Sequence, residues 1–206
     1  MGTGSNRLLS APRVPAGGRP RDRILAAAYD LFARHGIRAV GIDAIVERSG
    51  VARMTLYRHF ASKDDLVLAF LERRETLWTT AWLQGEITRR AEQPIDQLLA
   101  IFDVFSDWFR CDNFEGCSFI NVMLQTSDRD DAIRHASVSY LERIRGVLEE
   151  LARQAGIADA KAFARKWHLL MKGAIVAAAE GDVDAGQRAR EIGSLVIAAT
   201  LSHRGG

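Results

Sequence analysis

The chain has 206 residues, 48% of them hydrophobic and 26% charged, an ordinary globular composition that excludes a disordered or low-complexity protein. Two cysteines, Cys111 and Cys117, are too few for a disulfide-stapled scaffold, and with five scattered histidines they show no metal-ligand spacing, so neither cofactor nor metal is expected. No apolar run approaches the roughly 18–20 residues that span a bilayer and no signal-peptide core opens the chain, which leaves a cytoplasmic protein with no membrane partner as the expectation.

Residues 1–18, rich in glycine and proline without apolar periodicity, read as a disordered tail. Pro20 suits the first turn of a helix that carries Ile24, Ala28, Leu31, Phe32 and His35 at helical spacing, with Gly36 placed to end it. A second short helix starts near Asp43 and closes at Gly50; a third spans Arg53 to Phe60 with Leu56 and Phe60 inward. Ser62-Lys63-Asp64-Asp65 is a capping pattern that opens a fourth, in which the hydroxyl and the Asp65 carboxylate satisfy orphan amides. Its apolar stripe continues through Leu66, Phe70, Trp78 and Trp82. At about 1.5 Å per residue, an α-helix over 62–84 makes a rod of roughly 35 Å.

Beyond Pro94 the pattern stays helical. A broad stripe from Leu98 to Phe109 breaks at Cys111-Asp112-Asn113, and Phe119–Leu124 reads as a short buried helix. A second capping pattern, Ser127 to Asp130, precedes a helix that closes at Gly156; Asp159 caps the next, to Gly181, and Asp184 opens the last. No turn-bounded alternating strands occur. The fold class is all-α with about nine helices, a helix-turn-helix domain at 19–66 and a larger helical domain at 67–206.

Charge is divided along the chain. Residues 1–70 hold 11 Lys and Arg against 6 Asp and Glu, while 71–206 hold 17 against 20. A basic N-terminal third points to a polyanion at that end. Three short helices with a tight Ser49-Gly50-Val51-Ala52 corner form a helix-turn-helix arrangement. Its third helix is expected to expose Arg53, Met54, Tyr57 and Arg58. Arginine bridges a guanine edge, Thr55 suits a thymine methyl or a phosphate, and Tyr57 packs on the DNA backbone. Lys63 opens the fourth helix, where free amides and the helix dipole already favour phosphate.

The stretch Arg23-Ile24-Leu25-Ala26-Ala27-Ala28, then Leu31-Phe32, His35-Gly36, Asp43-Ala44-Ile45, Gly50-Val51 and Thr55 through Leu66, closely resembles the TetR family of bacterial transcriptional regulators. The resemblance implies a helix-turn-helix within 41–60 and a ligand-sensing, dimerising C-terminal domain. It carries phosphate or base contact onto Thr55, Tyr57, His59 and Lys63; exposure and charge add Arg53 and Arg58. Gly41, Ala52 and Met54 depart from the family pattern, removing two hydroxyls and enlarging a small side chain on the DNA side. Gly116-Cys117-Ser118-Phe119-Ile120-Asn121 resembles a segment of one group of TetR-like C-terminal domains.

The expected function is a ligand-responsive regulator, a repressor released from a palindromic double-stranded DNA operator by a small, mostly apolar effector. Phe102, Phe105, Trp108, Phe119, Trp167 and Met171 are the candidate pocket lining, although the same side chains would equally fill a core. Small residues crowd the last two helices, and Ala174, Ala177, Ala178, Leu195 and Ala199 are the candidate homodimer interface; intramolecular packing explains the same pattern. Cys111 and Cys117 read either as a redox pair or as small buried residues. A DNA-binding architectural or partner-regulated protein without an effector is the alternative. An enzyme is the remote one: no Glu-x-x-His pair, P-loop, Gly-x-Ser-x-Gly or His-Glu-x-x-His occurs, and His168 has no nucleophile tied to it by sequence.

Overall fold

The computed structural model describes residues 18–202, so the tail expected at 1–18 lies, except for Gly18, outside the described residues. Among these the chain is helical, without a strand. The elements are α1 Pro20–Ala39, α2 Ile42–Ser49, α3 Arg53–His59, α4 over 63–90, α5 Pro94–Phe109, α6 Ser118–Gln125, α7 Ala132–Gln154, α8 Ala160–Ala179 and α9 Ala185–Ser202. No described helix is long and apolar enough to cross a membrane.

Several helix ends and breaks follow from local chemistry. Gly36 adopts φ 77°, ψ 160°, a region open essentially to glycine alone, and breaks α1 before a last short turn. Gly50 takes the left-handed conformation, φ 62°, ψ 31°, so its amide bonds back to the end of α2. The Ser62 hydroxyl accepts from the Asp65 amide at 3.0 Å while the Asp65 carboxylate accepts from the Ser62 amide at 3.1 Å, completing the capping box. Asp159 caps α8 through the Ala162 amide at 3.0 Å.

Two expectations are corrected. Ser127 does not open α7; the helix begins later, with the Asp131 carboxylate accepting from the Ile133 amide at 2.7 Å. Nor is α4 a uniform α-helical rod. It is α-helical over Lys63–Arg74, π-helical over Glu75–Leu83 and α-helical again over Gln84–Arg90. The wider i→i+5 ladder shortens the rise and rotates the residues beyond it, so the 1.5 Å arithmetic does not hold throughout.

The chain divides into two compact units. Among the described residues, the first comprises the chain from Gly18 to Trp78 together with Cys117–Tyr140; the second comprises Thr79–Gly116 and Leu141 to Ser202. This differs from a boundary at residue 66: the first unit extends into the π-helical segment and takes in α6.

In the first unit α1 packs on α4. Tyr29 and Phe32 meet Phe70 edge to face at 5.3 and 5.7 Å, and buried Arg74 donates to the Tyr29 hydroxyl at 2.8 Å. Gln125, the last residue of α6, sits over Gly36: a β-carbon there would lie 2.9 Å from its side-chain amide. Arg38, just beyond, donates to the Ser127 hydroxyl at 3.3 Å.

In the second unit α5 and α9 approach closely. A β-carbon on Gly186 would lie 2.8 Å from the Ser106 amide nitrogen and 2.9 Å from the Phe102 carbonyl oxygen, so only glycine fits. Gly193 likewise faces the rings of Trp167 and Phe102. Around them Phe102 meets Trp167 at 5.2 Å, Phe163 stacks on Trp167 at 5.1 Å, and Trp108 meets Phe114 at 4.9 Å. Arg110–Asp184 at 2.7 Å and Arg190–Asp103 at 3.1 Å tie the rim of the same seam.

Candidate nucleic-acid interface

The geometry of α2 and α3 rests on three connections that sequence reading did not reveal. Arg23, on α1, donates through one nitrogen to the Ser49 and Gly50 carbonyls at 2.6 and 2.9 Å. These are carbonyls that the end of α2 leaves without helical partners, so Arg23 caps α2 at the corner of the motif. Asp30, nearly buried on α1, accepts from Arg48 of α2 at 2.7 Å and pairs with Arg34 at 2.9 Å. Arg53, the first residue of α3, donates to the Asp43 carboxylate of α2 at 2.6 Å. These contacts span 26, 18 and 10 residues. No short-range pattern could have announced them.

Leu56 and Phe60 face inward and are buried, with the Arg21 guanidinium 5.2 Å over the Phe60 ring. The opposite face of α3 exposes Arg53, Met54, Tyr57, Arg58 and His59, with Thr55 half-buried. Met54 is 75% exposed and Tyr57 40%. The face carries two permanent cations and no acid, and Arg53 lies 5.9 Å over the Tyr57 ring. Lys63, half-buried, starts α4, and the described residues bring it, Ile37, Arg38 and Gln125 to one groove. Neither Gly41 nor Ala52, the N-cap residues of α2 and α3, supplies a side-chain cap; in α3 the Thr55 amide instead donates to the Ala52 carbonyl at 2.8 Å.

Of the proposed pocket residues, Phe102, Phe105, Trp108, Trp167 and Met171 are buried in the second unit, while Phe119 belongs to the first, stacked on Tyr140 at 5.2 Å. The Trp167 indole nitrogen is buried without a hydrogen-bond partner. Of the proposed interface residues, Leu195 is 71% exposed, Ala199 is exposed, and Ala177 and Ala178 are half-buried. Ala174 is buried within the subunit and presents no surface. Leu169, Val176 and Ile192 extend the exposed apolar face of α8 and α9, a feature that attention to small residues alone had missed.

Cys111 and Cys117 lie in different units, and burial, with Asp107 and Asp112 nearby, raises the Cys111 thiol above its usual range. His168 is 3% exposed; burial, then the charges of Lys172 and Arg145, lowers it to about 3, so it is neutral at physiological pH. Among the described residues no group of acids, histidines and cysteines is arranged to hold a metal ion.

Two family models match this chain: bacterial regulatory proteins of the tetR family over residues 24–70, and the tetracyclin repressor-like C-terminal domain over 94–193. The transcriptional activator FasR of Mycolicibacterium smegmatis is 44% identical over 69 residues, 29% of this chain and 32% of that protein. The regulator LmrA of Bacillus subtilis is 27% identical over 148 residues, 70% and 77% of the two chains. The match thus spans about a third of the first relative's length and about three quarters of the second's. A TetR-family regulator from Streptomyces coelicolor shares the fold with a TM-score of 0.78 and 28% identity, covering 88% of this chain and 95% of that one. The chain belongs to the TetR family: it is a helix-turn-helix, DNA-binding transcriptional regulator, in a family that is not enzymatic.

Proposed function

We propose that the protein reads a palindromic DNA operator as a homodimer and releases it when a small, mostly apolar effector binds the second unit. The observation that carries the first part is the exposed face of α3, where Arg53, Met54, Tyr57, Arg58 and His59 stand out from an inward Leu56 and Phe60. In a helix-turn-helix that face enters the major groove; Arg53 and Arg58 read base edges, while Thr55, Tyr57, His59 and Lys63 hold the backbone. The apolar face formed by Leu169, Val176, Ile192 and Leu195 supports a second copy of the chain, with Ala177, Ala178 and Ala199 allowing close approach.

The cluster of Phe102, Phe105, Trp108, Trp167 and Met171 supports an effector site, because its unpartnered indole N–H gives an otherwise apolar ligand one acceptor to orient. The neighbouring rings pack on one another, which equally favours the second reading, a regulator with no small-molecule effector. Release by an effector makes the protein a repressor where its operator overlaps a promoter. FasR is an activator, and the position of the operator decides the sign.

Selection from a random duplex library tests the DNA half. A palindrome with half-sites about one helical turn apart is expected, with affinity falling steeply as salt rises. Lys63→Ala should weaken specific and random duplexes alike and reduce the salt slope by about one ion. A flat salt dependence, or no selected sequence, refutes the reading. Operator release across a library of apolar metabolites, followed through tryptophan fluorescence, separates the effector reading from its alternative.

A further inference from the structure

Arg53 is not free on the recognition helix. Its guanidinium donates to the Asp43 carboxylate at 2.6 Å, although both side chains are largely open to solvent, 56% and 83% exposed. An ion pair so exposed contributes little to folding, since solvent and salt screen it and two long side chains lose freedom to make it. The placement is also costly for DNA binding, because Asp43 puts a negative charge beside a cation on the side that meets phosphates. A carboxylate that stabilises little and repels the ligand needs another reason to be there.

Three features supply one. Arg53 is the first residue of α3, at the positive end of the helix dipole, where a cation is disfavoured unless an anion accompanies it. Its other flank lies over the Tyr57 ring at 5.9 Å, so the side chain is held on two sides. The bond to Asp43 uses one terminal nitrogen of a five-donor fork and the Tyr57 side chain engages the same guanidinium, which leaves the donors not so engaged to meet a guanine edge. An unrestrained arginine can swing to the nearest phosphate and contribute affinity without information.

We propose that Asp43 is a specificity-determining positioning residue, which holds Arg53 toward a guanine edge and away from the phosphate backbone. This rests on the DNA-reading function proposed above. It assigns sequence discrimination to an acidic residue of α2 that, in the structure, bonds the first side chain of α3. The nine intervening residues are the rest of α2 and the corner of the motif, so the orientation of Arg53 is tied to the angle between the two helices.

The test is selection from a random duplex library by the wild type, Arg53→Ala, Asp43→Ala, Asp43→Asn and the double alanine variant, with binding to a fixed non-cognate duplex measured over a salt series. Both sites are exposed, and circular dichroism checks that each variant is folded. A bidentate guanine contact discriminates roughly 5- to 150-fold against the wrong base. Asp43→Ala is expected to lose most of that preference at the same base pair as Arg53→Ala, with the double variant no worse there than Arg53→Ala. It should also bind the non-cognate duplex several-fold more tightly, with a salt slope steeper by about one ion. Asp43→Asn, which keeps an acceptor in place, should retain part of the preference. If Asp43→Ala keeps the wild-type consensus and only its overall affinity rises, or if the two alanine variants change different base pairs, the pair is an ordinary surface contact and the proposal is wrong. A wild type that selects no sequence instead defeats the DNA-reading function itself, and that outcome is visible before any variant is compared.

Discussion

Gly186→Ala is expected to loosen the seam between α5 and α9. The added carbon would lie 2.8 Å from the Ser106 nitrogen and 2.9 Å from the Phe102 carbonyl oxygen, both backbone atoms inside a helix. The Ser106 hydroxyl is nearer still and is engaged with that carbonyl, so it moves aside only by giving up its hydrogen bond. Restoring ordinary van der Waals distances requires α9 to withdraw by about 0.5 Å, which also separates Gly193 from the rings of Trp167 and Phe102. Overpacking of this kind costs about 1–3 kcal/mol. Alanine's helix preference returns at most about 1 kcal/mol, leaving a net loss of up to about 2 kcal/mol. For a chain of this size that lowers Tm by up to roughly 8 °C. Gly146→Ala is the control: it lies inside α7 with nothing within 4 Å of the new carbon, and should gain about 1 kcal/mol from helix preference alone. Urea unfolding at one fixed protomer concentration measures both. A Gly186→Ala protein as stable as the Gly146→Ala protein would falsify the close approach.

Arg23→Met should cost about 1.5–3 kcal/mol, the worth of hydrogen bonds from a charged donor, and should weaken cognate and random duplexes together because the α2–α3 corner loses its clasp; unchanged stability would show that the Ser49 and Gly50 carbonyls are satisfied by water. His168 has a folded-state pKa lowered to about 3 from an ordinary 6.5, so the unfolded chain takes up a proton that the folded one refuses. Its contribution is therefore intact above about pH 6.5 and is lost as pH falls toward 3, at up to about 1.4 kcal/mol per pH unit. Stability measured between pH 7 and 5 should fall less in His168→Leu than in the wild type, and identical slopes would remove His168 as the cause. Leu195→Glu places a charge on the exposed apolar face of α9 and should yield a monomer by light scattering, with the helix content unchanged. A variant that remains dimeric would move the interface elsewhere. Phe105→Ala and Trp108→Ala are poor probes of an effector site, because both side chains are fully buried and their loss costs about 3–5 kcal/mol of core.

Local chemistry was legible without the structure because it acts over a few residues. A capping box needs only Ser62 and Asp65; a left-handed turn needs only Gly50; the inward Leu56 and Phe60 and the outward Arg53, Tyr57 and Arg58 follow from a 3.6-residue period. The all-α class and the exposed face of α3 were therefore within reach of sequence, and the family was within reach through the resemblance of residues 23–66 to its members. The π-helical segment was not, because i→i+4 and i→i+5 ladders accept nearly the same apolar pattern, and Trp78 and Trp82 suit either. The start of α7 was misplaced for a related reason: Ser127 and Asp131 both belong to cap-forming residue types, and the surrounding packing chooses between them.

Tertiary structure alone decided which residues meet across distance. It made Gly186 and Gly193 points of close contact with α5 and Trp167, and it placed Ala174, a candidate interface residue, inside the subunit. It placed Phe119 and α6 in the unit that holds the recognition helix, and it joined Arg23 to the end of α2, Arg48 to Asp30, and Arg53 to Asp43. Spacing along a helix says which side chains share a face, and composition says that a face is basic. Neither contains the crossing geometry of two helices, and that geometry determines whether a glycine is a gap or a contact and whether an arginine is free or already held.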